Sequence, residues 1–278
     1  MKNKLIIYDS NCNVCIGLRE LMLALGLIKT QECIAFANLP DQYKVKVDPE
    51  RFRNEMALID KFSAATLYGA DGIAYIFSEK IPPLRFLFRL KLFFLFFRFL
   101  YKTIANNRYI IAPPKQTTIT CNCYPDNVKT YRIAYIILTY TAAVLLTALF
   151  GISVKNILKT DSGTAAIYML LMAGTGWLIH LVVAYIKLSK TGFEEYAGHI
   201  GSIMVAGLLV LVPSISFSLL FGFTPVMLPL ISVCCSSGFM LWLHAQRVRY
   251  LQLPSYFTTQ WFLLLQACAA FWIIYLYF

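Results

Sequence analysis

The chain has 278 residues, 59% of them hydrophobic and 14% charged, with a formal net charge of +11 and a mean hydropathy of +0.63. A soluble domain keeps about a quarter of its residues charged, so these figures exclude one soluble domain. The charge is also unevenly spread, because only ten residues from Tyr131 onward carry one, at segment ends or between apolar runs.

Taken in chain order, residues 4–8 read as a buried strand. Asp9, Ser10 and Asn11 follow, all residue types that cap helices, and the apolar spacing of Ile16, Leu18, Leu21, Met22 and Leu25 predicts a helix that Gly26 ends. Glu32 to Ala37 predicts a second strand, and residues 40–54, polar and containing Pro40 and Pro49, a loop or short helix. Met56 to Ile59 and Thr66 to Tyr68 predict a hairpin, and Gly69 and Gly72 open a helix to about Ser78. The order β–α–β–(α)–β–β–α is that of a thioredoxin-like α/β domain.

Leu84 to Tyr101 is rich in Phe and Leu but holds Arg85, Arg89, Lys91 and Arg98. Four charges in so short a stretch argue against a span. A basic helix with a wide apolar face suits an anionic membrane surface, or packs that face on its own domain, or does both on different sides. Nucleic acid is the rival partner for such charge, but no nucleic-acid motif accompanies it and none is expected. Pro113 and Pro114 begin a linker, residues 113–131, that contains Cys121-x-Cys123. From 132 to 278 the sequence predicts an all-α transmembrane bundle of about five helices, near 133–152, 164–186, 200–221, 225–244 and 257–278. The short break at Gly222 to Pro225 predicts a tight hairpin between the third and fourth.

The first residues lack the long apolar stretch of a secretory signal, so residues 1–112 are expected to stay in the cytosol. The positive-inside rule agrees: seven Lys and Arg flank the helices on that side and only Lys155 and Lys159 on the other. An integral protein of a bacterial inner membrane is expected, with its N-terminal domain cytoplasmic and its C-terminus outside.

Chemistry concentrates at Cys12-Asn-Val-Cys15, a pair at the junction of a strand and a helix. Backbone N–H groups and the helix dipole favour a thiolate at the first cysteine, and the second lies one turn on, able to close a disulfide. Cys12 is the candidate nucleophile and Cys15 the resolving thiol. Half a zinc site is one alternative, but Cys121-x-Cys123 has a poor spacing for the other half; two inert cysteines are another. No cofactor is expected. Asp9 is a candidate helix cap or proton carrier for Cys15.

Asp9-Ser10-Asn11-Cys12-Asn13-Val14-Cys15 after a strand resembles the opening motif of the DCC family of thiol-disulfide oxidoreductases. Gly69-Ala70-Asp71 resembles the family's Gly-x-Asp segment, and Tyr101 to Tyr109, YKTIANNRY, its closing Tyr…Ala-x-Asn-Arg-Tyr signature. The resemblance covers residues 4 to about 111. It implies a thioredoxin-like fold and dithiol–disulfide exchange with a protein or small-thiol substrate. Ser10 stands where the family usually has Gly, and no Pro directly precedes the strand at Met56, where thioredoxins place one.

Cys121 and Cys123 are candidates for a redox relay with the first pair. Cys234 and Cys235, adjacent in an apolar helix, are expected to pack between helices. His180, His199 and His244 lie on three membrane segments and need not converge. Ser and Pro around 213–229 predict kinks and interhelical hydrogen bonds. The alternative to an oxidoreductase is a transporter or membrane assembly protein whose N-terminal domain senses redox state or binds a partner.

Overall fold

A computed structural model describes residues 3–114 and 124–277. The chain divides into two units, Met1–Tyr135 and Ile136–Phe278.

The first unit is built on a four-stranded mixed sheet of order β2-β1-β3-β4. Strand β1 (Lys4–Tyr8) pairs in parallel with β2 (Cys33–Ala35) and antiparallel with β3 (Ala57–Asp60), which forms a hairpin with β4 (Thr66–Tyr68). Successive side chains of a strand point to opposite faces, and here both faces are covered. Leu5, Ile7, Ala57 and Ile59 pack against Leu39, Val47 and Phe52, from the segment holding the one-turn helices α2 (Asp41–Lys44) and α3 (Pro49–Phe52). Ile6 and Leu58 pack on the other face against Met22 of α1 (Asn13–Ala24) and Ile76 of α4 (Gly69–Lys80). This two-sided burial explains why β1 reads as a continuous apolar run. Ile7 and Ile59 are fully buried, and truncating either to Ala would cost about 2–5 kcal/mol.

The basic aromatic stretch expected as one helix is two, α5 (Pro82–Arg89) and α6 (Lys91–Asn106), separated at Leu90, whose backbone is extended. The break folds α5 back so that Phe88 meets Phe93 and Phe97, with ring centroids 5.6 and 5.1 Å apart. Helix α6 has two apolar sides: Phe97, Leu100 and Ile104 line a partly open pocket, while Leu92, Leu95, Phe96 and Phe99 are exposed. A short helix α7 (Arg108–Ile111) follows. The described part of the expected linker is tied to this unit, since Asp126 accepts from Asn54 Nδ2 at 2.6 Å and its backbone N–H donates to Asn54 Oδ1 at 2.9 Å.

The second unit is all helix. Helices α8 (Lys129–Ser153), α10 (Ser162–Lys187), α13 (Met227–Tyr250) and α14 (Tyr256–Tyr277) are long and apolar enough to cross a membrane. The one-turn α9 (Lys155–Leu158) joins the first two. The pair α11 (Lys190–Leu209) and α12 (Val212–Phe221), bent by 41°, passes the same test of length and apolarity only when taken together, and is either a broken fifth span or a re-entrant segment. Pro213 in the first turn of α12 cannot donate to the preceding turn, which accounts for the break. Helix α11 starts ten residues before the apolar run expected at 200–221 because Ser189 caps it, Oγ accepting from Gly192 N at 3.2 Å. The expected hairpin is present: Gly222, with φ +72°, ends α12 before α13 begins. Ser218 and Thr224 hydroxyls both donate to the Ser153 carbonyl of α8, at 2.7 and 2.9 Å.

Candidate functional site

Helix α1 begins directly after β1, so the sheet positions its first turn. Its N-cap is Cys12 rather than the expected Asp9: Cys12 Sγ accepts a hydrogen bond from the Cys15 backbone N–H at 3.2 Å. A side chain standing at the N-cap meets the unpaired N–H groups of the first turn, and a thiolate there gains more than a thiol. Asp9 instead makes a local turn, Oδ1 accepting from Asn11 N at 2.9 Å.

The two sulfurs are held unequally. The Cys15 thiol donates to Cys12 and is the largest influence lowering the Cys12 pKa; Arg108 and the Cys15 N–H also lower it, against burial and the Asp9 charge. Cys15 is pushed well above its ordinary value, by donating to Cys12 first and by burial second. Of the two sulfurs, Cys12 is therefore the one that ionises more readily and Cys15 the one that keeps its proton.

The closing motif reaches the same place from a hundred residues away. Tyr109 of α7 donates its hydroxyl to Asp9 Oδ2 at 3.2 Å, and Arg108 Nη2 is 4.0 Å from the same oxygen. Arg108 also donates to the Arg53 carbonyl at 2.7 Å. Burial, and next the Asp9 charge, push the Tyr109 phenol up, so it stays a donor. Asn13 of α1 donates to the Pro113 carbonyl at 2.6 Å, fastening the segment after α7 to α1. Cys12 is 0% exposed and Cys15 7%.

The middle motif supports this arrangement. Gly69 has φ +53°, and a Cβ there would stand 2.7 Å from Glu55 Oε2 and from the Tyr101 ring. Only glycine suits both the left-handed backbone and that approach. Tyr101 accepts from the Met56 N–H at 3.3 Å, and Asp71 pairs with Arg98 at 3.0 Å. The closing motif thus meets the opening one beside α1, the middle motif packs on Tyr101 of the closing one, and the roles of Arg108 and Tyr109, which no local pattern assigns, come from contacts across the fold.

Of the other sequence candidates, Cys121 and Cys123 lie outside the described residues. Cys234 and Cys235 are exposed on α13, so they do not pack between helices of the unit as expected. Two of the three histidines do converge. His180 Nε2 of α10 and His244 Nε2 of α13 lie 2.6 and 2.9 Å from the Tyr196 hydroxyl of α11, and His244 Nδ1 lies 3.2 Å from Thr258 Oγ1 of α14. A phenol has one proton to donate, so one histidine accepts from Tyr196 and the other donates to it. His199, also on α11, lies edge-on to Tyr250, centroids 5.8 Å apart.

Fold and site together define a small α/β domain with a dithiol at the start of its first helix, followed by a helical unit with four to five candidate membrane spans. Residues 6–112 match the family model described as DCC1-like thiol-disulfide oxidoreductase. The match covers less than half of the chain. No curated protein and no solved structure matches.

Proposed function

We propose that the chain is a membrane-anchored thiol–disulfide oxidoreductase whose working group is the Cys12–Cys15 dithiol. The observation that carries this is the unequal pair within one helical turn: a sulfur favoured as thiolate at the N-cap and a neighbour favoured as thiol. The Cys12 thiolate attacks one sulfur of a substrate disulfide, forming a mixed disulfide and releasing one substrate thiolate. Cys15 then loses its proton and attacks the Cys12 sulfur, forming the internal disulfide and releasing the second thiolate. Substrate takes up two electrons and the dithiol is oxidised. Asp9, with Tyr109 and Arg108, is a positioning residue that sets the charge around the pair.

The substrate class is the disulfide of a protein or of a small thiol. The burial of Cys12 requires α7 and the Asn13–Pro113 contact to open before a bulky disulfide can react. The Lys and Arg distribution supports a cytoplasmic N-terminal domain and an outer C-terminus, in a bacterial inner membrane. The test is the full chain in detergent, titrated through a thiol redox series and followed by mass spectrometry. A reversible Cys12–Cys15 disulfide, with a Cys12 alkylation midpoint below that of a free thiol, is expected. An unreactive pair with an ordinary midpoint would refute the reading.

A further inference from the structure

Helices α5 and α6 turn one apolar side inward and leave another bare. Leu92, Leu95, Phe96 and Phe99 are exposed and fall at i, i+3, i+4 and i+7 of α6, a single stripe. Phe86 of α5, 70% exposed, and Leu90 at the break are bare as well. Cations stand beside them in the open: Arg85 and Arg89, one turn apart on α5, and Lys91 at the start of α6. We propose that this outer face is an interfacial hairpin that seats on the anionic lipid surface at which α8 enters the membrane. The inference rests on the membrane-anchored reading above and adds a second point of membrane contact, made by the dithiol domain itself.

Three observations select lipid as the occupant. The first is charge. No Asp or Glu occurs from Lys80 to Ala112, and Asp71 and Glu55, which reach α6 from elsewhere in the unit, are paired with Arg98 and Lys102. An anionic surface is the complement of the exposed cations. The second is place. The first turns of α8, through Tyr135, belong to this same unit, and α6 is fastened to them: Phe99 of the stripe lies against Tyr131, ring centroids 6.0 Å apart, and Asn107 at the end of α6 donates to the Tyr131 carbonyl at 3.0 Å. Helix α8 is long and apolar enough to cross a membrane, and Lys129, Tyr131 and Arg132 at its start are residue types that sit at a lipid–water boundary. The third is the make-up of the face, a Phe and Leu row with Lys and Arg beside it, which is the form of a helix lying in the interface. A second copy of the chain seated on the same face would set these cations against their own kind. A nucleic acid would match the charge but leave the Phe and Leu side chains in water.

Seating has a consequence for the site. Another side of α6 carries Phe97, Leu100 and Ile104, which line the pocket that Cys15 borders. A helix with its side chains is about 10–12 Å across, so a seated α6 holds the dithiol about one helix breadth from the lipid. Disulfides close to the membrane surface are then the ones within reach.

The test uses the full chain carrying F96W in nanodiscs of phosphatidylcholine with one-third phosphatidylglycerol, the acyl chains dibrominated. Quenching of the added tryptophan, read as the difference from the wild-type chain, reports contact with lipid, and acrylamide reports contact with water. V45W is the aqueous reference, because Val45 is exposed in the segment over the other face of the sheet. The expected result is F96W quenched by brominated lipid and V45W by acrylamide alone. Adding R85Q, R89Q and K91Q together should lower the lipid quenching of F96W at least about threefold, as should discs of phosphatidylcholine alone. Acrylamide quenching of F96W equal to that of V45W would overturn the inference. Shielding of F96W from both quenchers would also overturn it, since protein would then cover the stripe. Lipid quenching unchanged both without phosphatidylglycerol and in the neutralised variant would remove the anionic surface as occupant and overturn it too. These three outcomes leave the membrane-anchored reading standing, whereas a chain that elutes apart from the discs would overturn that reading itself.

Discussion

Replacing Tyr109 by Phe removes one hydroxyl and nothing else from the cover over the dithiol. That hydroxyl donates to Asp9 across 3.2 Å, with Asp9 4% and Tyr109 8% exposed. A hydrogen bond to a charged acceptor contributes about 1.5–3 kcal/mol, and the length here favours the lower part of that range. Each 1.4 kcal/mol is tenfold in an equilibrium constant, so the lower half of that range makes opening of the region about 10- to 40-fold more frequent. Cys12 reports this directly: with no exposed surface it reacts with iodoacetamide only when the cover opens, and slow labelling under native conditions measures the open population. Tyr109 is not among the groups that set the Cys12 pKa, so the change should persist at each pH tested. A labelling rate within threefold of wild type would refute the argument that α7 holds the dithiol closed through Asp9.

The charges around Cys12 give a pair of opposite effects. R108M should raise the Cys12 alkylation midpoint and D9N should lower it, because the guanidinium lowers and the carboxylate raises this thiol; the same direction of change in both would contradict the electrostatic account. The sign carries into stability. A pKa lowered by folding means that the reduced protein gains stability as pH rises from the folded Cys12 value to the unfolded one, and loses it as pH falls back through that window, so R108M should flatten that rise in a pH series of native labelling. G69A should destabilise the first unit by at least about 1–2 kcal/mol from the left-handed backbone alone, seen as faster labelling of Cys15, and unchanged labelling would mean Tyr101 and Glu55 move aside freely. Y196F should lower the thermal midpoint of the second unit in detergent, since helix-bridging hydrogen bonds in membranes contribute about 0.6–2 kcal/mol each; an unchanged midpoint would show that the two histidines do not depend on that hydroxyl.

What could be read from the sequence was whatever depends on neighbours along the chain. The first strand, the helix after the cysteine pair, the 57–68 hairpin and the membrane-length runs all announce themselves by period and punctuation. The pairing of Cys12 with Cys15 follows from one helical turn. The roles of Tyr109 and Arg108 do not, since they meet Asp9 from a hundred residues away. Nor does the break at Leu90, which carries no Pro or Gly and is set by how Phe88 packs back on α6.

The sequence by itself therefore determined the kind of domain, the place of the dithiol at a helix start, and a second half long and apolar enough for four to five spans. Local propensity and hydrophobic period decide these, and both are written into short stretches. Only the tertiary structure decided that Cys12, not Asp9, caps α1, that α7 closes over the pair, that an apolar cavity opens beside Cys15, and that His180 and His244 share one tyrosine hydroxyl while Cys234 and Cys235 face outward. Each of these depends on which distant side chains fill the space around a group, and that is settled when the sheet, helices and loops close together rather than by any one of them alone.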